Sequence, residues 1–110
     1  MNIVLSDKVI QPHLPDEYID CSNEGEAIAI AGGHYIATCE RANVYMSADG
    51  FCNAINFITS WVMPEKLEMN IYISVGRTEA QHKVMSTILP ELLELINYDP
   101  TRILIVNLWK

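Results

Sequence analysis

The stretch Glu26–Cys39, EAIAIAGGHYIATC, decides how the sheet of this protein is read. Ala27 to Ala31 alternates alanine with isoleucine, and His34 to Cys39 is a second β-prone run. Gly32-Gly33 joins them. Two such runs across two glycines read as a two-residue hairpin, because the primed turns of hairpins need positive φ. That register pairs Ala31 with His34, Ile30 with Tyr35 and Ala29 with Ile36. Ile28, Ile30 and Tyr35 then share one face. The alanines share the other with Ile36, which would let a helix approach closely. On this reading the sheet opens with an antiparallel pair.

Asn2 to Leu5 is a short β-prone run, and Lys8 to Gln11 extends it or forms another. Pro12 and Pro15 deny ladder donors, so an irregular segment follows. On the other side, Ala42 to Met46 adds a third strand. Ser47 and Asp49 are candidate N-caps for a helix that runs to about Met63 and stops at Pro64. Phe51, Ile55, Ile58 and Val62 recur there at helical spacing, opposite Asn53, Asn56 and Ser60. No charged residue follows the cap in this helix. Its polar face is therefore covered by the protein itself or by a partner.

Met69 to Val75 reads as a strand. Gly76-Arg77 is a turn, and Thr78 with Gln81 forms a capping box. The next helix carries Val84, Met85, Ile88, Leu92, Leu95 and Ile96 as its apolar stripe. Pro90 removes a donor within it, so a kink or two successive helices are expected. Asn97 to Pro100 is a turn, and Ile103 to Val106 is an apolar run suited to a strand covered on both faces. Strand, helix, strand from Met69 to Trp109 predicts a right-handed crossover and a parallel pair. Together these elements predict a single domain over residues 1–110 with an α+β (mixed α/β) fold. It has one mixed sheet of about five or six strands, an N-terminal antiparallel hairpin region and two main helices.

The 110 residues are half hydrophobic by type and 19% charged, ample for one core and unlike a disordered chain. Seven basic and fourteen acidic side chains give a net charge of -7. That balance argues against a nucleic-acid binder or a ligand of anionic membranes, both of which need a basic surface. The start, Met1 to Asp7, has no cationic segment followed by a long apolar one, and the longest uncharged stretch, Gly50 to Pro64, is too polar to span a bilayer. A cytoplasmic protein is expected. Three cysteines, Cys21, Cys39 and Cys52, form no CxxC pair and no complete disulfide framework.

Chemistry-bearing motifs are few. His13, His34 and His82 are scattered, as are the cysteines, with no two of these residues three or four apart, so no metal site is expected. Gly76-Arg77-Thr78 precedes a helix, where backbone donors and an arginine fork attract anions, but an ordinary capped turn has the same residues. No GxGxxG, GxxxxGK[ST], GxSxG or HExxH occurs. No cofactor is expected, and the chain reads as a non-enzyme. Trp61 reads as core and Trp109 as partly exposed.

Charge is the informative feature. Residues 1–40 hold seven acids and one base, a net of -6, whereas residues 41–110 hold seven acids and six bases. Asp16, Glu17, Asp20, Glu24 and Glu26 fall within eleven residues without a lysine or arginine. A solvated loop has this composition, and so does a patch that docks on a basic protein. With Asp16-Glu17-Tyr18-Ile19-Asp20 and Glu24-Gly25-Glu26 forming an acidic loop around an aromatic, the chain resembles the bacterial immunity proteins in type. These are short, acidic cytosolic inhibitors that neutralise a cognate, often basic, nuclease toxin. The resemblance implies a toxin partner whose active site is occluded, with Asp16, Glu17, Tyr18, Asp20, Glu24 and Glu26 as the contact residues and Tyr18 as a buried anchor. Two further functions fit the sequence. One is a homo-oligomeric structural or adaptor domain, such as a homodimer, built on the uncharged helix Gly50–Met63. The other is a small enzyme using Cys39, Cys52 or a histidine.

Overall fold

A computed structural model describes residues 1–5, 16–75, 80–97, 99 and 102–107. Chain order is β1 (Asn2–Leu5), β2 (Ile19–Cys21), α1 (Glu24–Thr38), β3 (Asn43–Ser47), α2 (Ala48–Phe51), α3 (Ile55–Phe57), a π-helical turn (Ile58–Val62), β4 (Asn70–Val75), α4 (Ala80–Ile96) and β5 (Ile103–Asn107). The five strands lie in the order β2-β1-β3-β4-β5, and every pair is parallel. This is one of the common orders of doubly wound α/β sheets. The expected segment Lys8–Gln11, the turn Gly76–Thr78 with its capping box, the turn residues Tyr98 and Pro100, and Trp109 lie outside the described residues.

Among the described residues the sheet is therefore all parallel and not mixed, and the antiparallel hairpin expected over Glu26–Cys39 does not form. Glu26–Cys39 is the body of α1. Asn23 caps it, its Oδ1 accepting from the Glu26 backbone N–H at 2.9 Å. Glu24 and Glu26 complement the helix dipole in the first turn. Alanine is the strongest helix former, so Ala27, Ala29, Ala31 and Ala37 favour this state. Glu24, Ala27, Ile28, Ala31 and Gly32 are buried, a spacing that belongs to one face of a helix. Gly32 permits the close approach of Trp61, whose ring carbons would lie 2.5 Å from an added Cβ. Cys39 ends the helix in the left-handed region at φ 60, with its N–H on the Tyr35 carbonyl at 2.8 Å.

One face of the sheet carries the core. Ile3, Val44, Ile71 and Ile103 stand in register across β1, β3, β4 and β5, with Met46 beside Ile73 in the next row. Ala27, Ile28 and Ala31 of α1, Phe51, Ala54, Ile58, Val62 and Leu89 of α4 join them in a single cluster. Both long helices thus share this face. The other face carries two rows of different character. Asn2, Asn43 and Asn70 form an amide ladder, Asn43 Nδ2 donating to Asn2 Oδ1 at 2.8 Å and Asn70 Nδ2 to Asn43 Oδ1 at 3.0 Å. Beside it Val4 pairs with Tyr45, and Tyr45 stacks on Tyr72 with ring centroids 4.9 Å apart.

Two helix expectations are corrected. The segment 50–63 is not one helix but α2, a turn, α3 and the π-helical turn, in which Met63 N–H bonds the Ile58 carbonyl five residues back at 2.9 Å. Glycine, asparagine and β-branched residues give this segment little helical preference of its own, so packing sets its path. Phe51, Ile58 and Val62 are buried all the same. The second correction concerns Pro90. It lies exposed within α4, which is one helix across it rather than two in succession.

Candidate partner-binding surface

β2 is short, three residues from Ile19 to Cys21. Among the described residues it pairs only with β1 and forms one edge of the sheet. An edge strand leaves a row of main-chain donors and acceptors unpaired. Asp16 and Glu17 stand on the bend that enters β2, and Asp20 is its middle residue. All three are exposed. Between them Ile19 is 42% exposed, and Met1 at the start of the neighbouring strand is 51% exposed. Met1, Asn2, Glu17, Tyr18 and Ile19 line a shallow cleft of about 400 Å³. The cleft thus combines exposed Met1 and Ile19 and a half-buried tyrosine with the carboxylate of Glu17 and the amide of Asn2. Interface cores are apolar and aromatic, and their rims are polar.

The six residues singled out from the sequence are not all on this surface. Asp16, Glu17, Tyr18 and Asp20 come together on the β2 edge. Glu26 is exposed on the first turn of α1, where it also accepts from Ser22 Oγ at 2.5 Å. Glu24 turns inward. It is buried, accepts from Asn53 Nδ2 at 2.8 Å, and its carboxylate fills the space where a Cβ on Gly50 would sit. Its task is to tie the start of α1 to the segment after α2.

The cysteines are dispersed. Cys21 is buried, and burial, aided by Glu26 and Asp20, pushes its thiol above the ordinary range. Such a thiol is a poor nucleophile. Cys39 and Cys52 are exposed, the latter with its sulfur 3.7 Å from Met85 Sδ. Among the described residues no group of three or more His, Cys, Asp or Glu could hold a metal ion. His13 and the His82 side chain lie outside them. Ser74 Oγ is buried near the carboxyl end of β4 with no hydrogen-bond partner among the described residues.

A second cluster escaped the sequence reading entirely. Glu68, before β4, accepts from Tyr35 Oη at 2.6 Å and from Arg41 Nη2 at 2.5 Å, while Arg102 Nη2 stands 3.3 Å from the same oxygen as Arg41. One carboxylate therefore joins α1, the approach to β3, β4 and β5. The Tyr35 hydrogen bond, then Arg41, hold the Glu68 carboxyl below its ordinary 4.5, and the same bond raises the Tyr35 phenol. A depressed carboxyl pKa means that the fold prefers the ionised form. Its contribution is present above the ordinary value and is lost as pH falls through the folded one. Thermal midpoints followed from neutral pH to pH about 3 should drop less steeply in Glu68→Gln than in the native chain. Parallel acid limbs would show that this cluster contributes nothing to acid sensitivity.

No helix among the described residues is long and apolar enough to cross a membrane. No family model matches the chain, and neither a curated protein nor a solved structure matches it.

Proposed function

We propose that this protein is an acidic, non-enzymatic protein-binding inhibitor of the immunity type. It acts in the cytoplasm and sets its β2 edge against the basic active-site cleft of a nuclease-type toxin. The supporting observation is the β2 edge itself, where exposed Asp16, Glu17 and Asp20 flank exposed Ile19 and half-buried Tyr18 along the chain. Carboxylates there would occupy the positions that nucleic-acid phosphates take in such a cleft. Their long-range field would raise the association rate, and Tyr18 and Ile19 would supply the desolvated centre. Inhibition by occlusion needs no cofactor. A homo-oligomeric adaptor is the second reading, favoured by the uncharged exposed residues Asn56, Thr59 and Ser60 beside exposed Phe57.

The test is stopped-flow association with the basic toxin co-purified from the native host. The triple variant Asp16→Asn, Glu17→Gln, Asp20→Asn should associate about tenfold or more slowly and lose most of its salt dependence. Glu24→Gln, which changes an inward carboxylate by the same charge, should stay within about twofold of the native rate. An unchanged rate in the triple variant would sink the acidic-edge mechanism.

A further inference from the structure

We infer that the cleft lined by the end of the π-helical turn, the end of α4 and the start of β5 binds a small organic carboxylate with a short apolar tail. The cleft has a volume of about 260 Å³. Val62, Met63 and Leu67 are its apolar lining, and Lys66, Asn97, Asp99 and Arg102 its polar lining. Leu67 precedes β4 and Arg102 immediately precedes β5, so the cleft lies at the amino ends of these strands. Ligands of doubly wound sheets usually bind at the carboxyl ends. The fold class therefore gives no reason for a site here, and the residues themselves must supply it. Two chain reversals build the cleft. Leu67 N–H bonds the Val62 carbonyl at 2.9 Å, which closes the π-helical segment and holds Lys66 in the left-handed region at φ 55. Asn97, at φ 51, closes α4, with its N–H on the Glu94 carbonyl at 3.1 Å.

Arg102 selects the chemistry of the ligand. Its Nη2 stands 3.3 Å from Glu68 Oε1. Its Nε is buried and has no hydrogen-bond partner among the described residues, because Asp99 Oδ2, at 3.6 Å, is too far away to accept. Buried donors are almost always matched, so one left open on a cleft calls for an acceptor from outside the chain. A carboxylate is the acceptor that suits the planar fork of an arginine. Lys66 is exposed and forms no ion pair among the described residues, so its ammonium is available to the same ligand. Lys66 and Arg102 against Asp99 leave the cleft lining with one net positive charge, in a chain whose net charge is -7. Val62 and Leu67 are 1% and 5% exposed. Beside them and Met63 an alkyl tail is desolvated, which an inorganic anion would not exploit. The β2 edge lies at the far side of the sheet from β5, and the inference does not depend on the function proposed above.

Titration of the full chain with 4-methylpentanoate, followed in methyl NMR spectra, tests it. The methyl signals of Val62, Met63 and Leu67 should shift, with a dissociation constant of about 1 mM or lower. The uncharged analogue 4-methylpentanamide has the same shape and should bind about tenfold more weakly or worse. Arg102→Lys keeps the charge but removes the Nε donor, and should weaken binding about tenfold. Lys66→Glu changes an exposed side chain, so circular dichroism should remain native while binding weakens about tenfold. Methyl signals that stay in place up to about 20 mM carboxylate would overturn the inference. So would equal affinity for the amide, or an affinity that Lys66→Glu leaves unchanged.

Discussion

Gly33→Ala is expected to stabilise the protein by about 0.5–1 kcal/mol, and Gly32→Leu, one residue earlier, to destabilise it by about 3 kcal/mol or more. Both positions lie inside α1. At Gly33 an added Cβ meets nothing within 4 Å, so the substitution gains helix preference and restricts only the unfolded chain. At Gly32 the new side chain meets the Trp61 ring at 2.5 Å and Leu67 at 3.1 Å. Trp61 packs against the core and cannot yield without opening it. The opposite signs are the useful part. In a hairpin turn both glycines would need positive φ, and alanine at either would be costly. Urea denaturation of the two variants, read as midpoint shifts, decides the matter. Destabilisation by Gly33→Ala would contradict the helix.

Phe51→Ala should cost about 3–5 kcal/mol. Phe51 is fully buried at the end of α2, where the chain leaves β3 and turns over the helical layer. It belongs to the cluster that also contains Ile28, Met46, Ile73 and Leu89, so its ring helps join α1, the central strands and α4. Removing it leaves a cavity that a parallel sheet on one side and helices on the other cannot easily close. Domains of this size have only about 5–15 kcal/mol of stability, so the loss is a large share of the total. A denaturant midpoint shift equivalent to under about 1 kcal/mol would show that Phe51 is not the keystone of this layer.

The sequence announces much of this arrangement, with one important exception. Four of the strands lie where β-prone runs predict them, and β4 and β5 are parallel across a helix as the crossover argument requires. Buried Phe51, Ile58 and Val62 also follow from periodicity, although the segment carrying them is broken. The hairpin fails because alternating alanine and isoleucine satisfies a period of two without distinguishing any face. All of its positions are apolar. The better signal was Asn23 followed three residues later by Glu26, a capping-box spacing before an alanine-rich run. Gly32-Gly33 then misled, since one glycine serves a tryptophan rather than a turn.

The acidic surface was legible because charge needs no partner to be counted. Its limits were not. Glu24 faces inward because of Asn53 and Gly50, each more than twenty residues away in sequence. Glu68 meets Tyr35, Arg41 and Arg102, none of them a neighbour in sequence. Likewise α4 presents an apolar stripe wider than its core-facing side, and periodicity does not separate the buried part from the exposed part.

The all-parallel sheet has a kinetic consequence. No pair among the described strands can form as a local hairpin, so each of their ladders waits for the closure of a longer loop. Asn2 and Asn43, which are neighbours in the central pair β1–β3, are 41 residues apart. Loop entropy must therefore be overcome before any ladder forms, and folding on the order of milliseconds to seconds is expected rather than microseconds. Contacts of α1 with β1 and β3 bridge that loop, so Ile28, Ala31 and Val44 are expected to pack early in folding. Substitutions there should slow folding itself, whereas those on the exposed side of α4 should leave the folding rate unchanged.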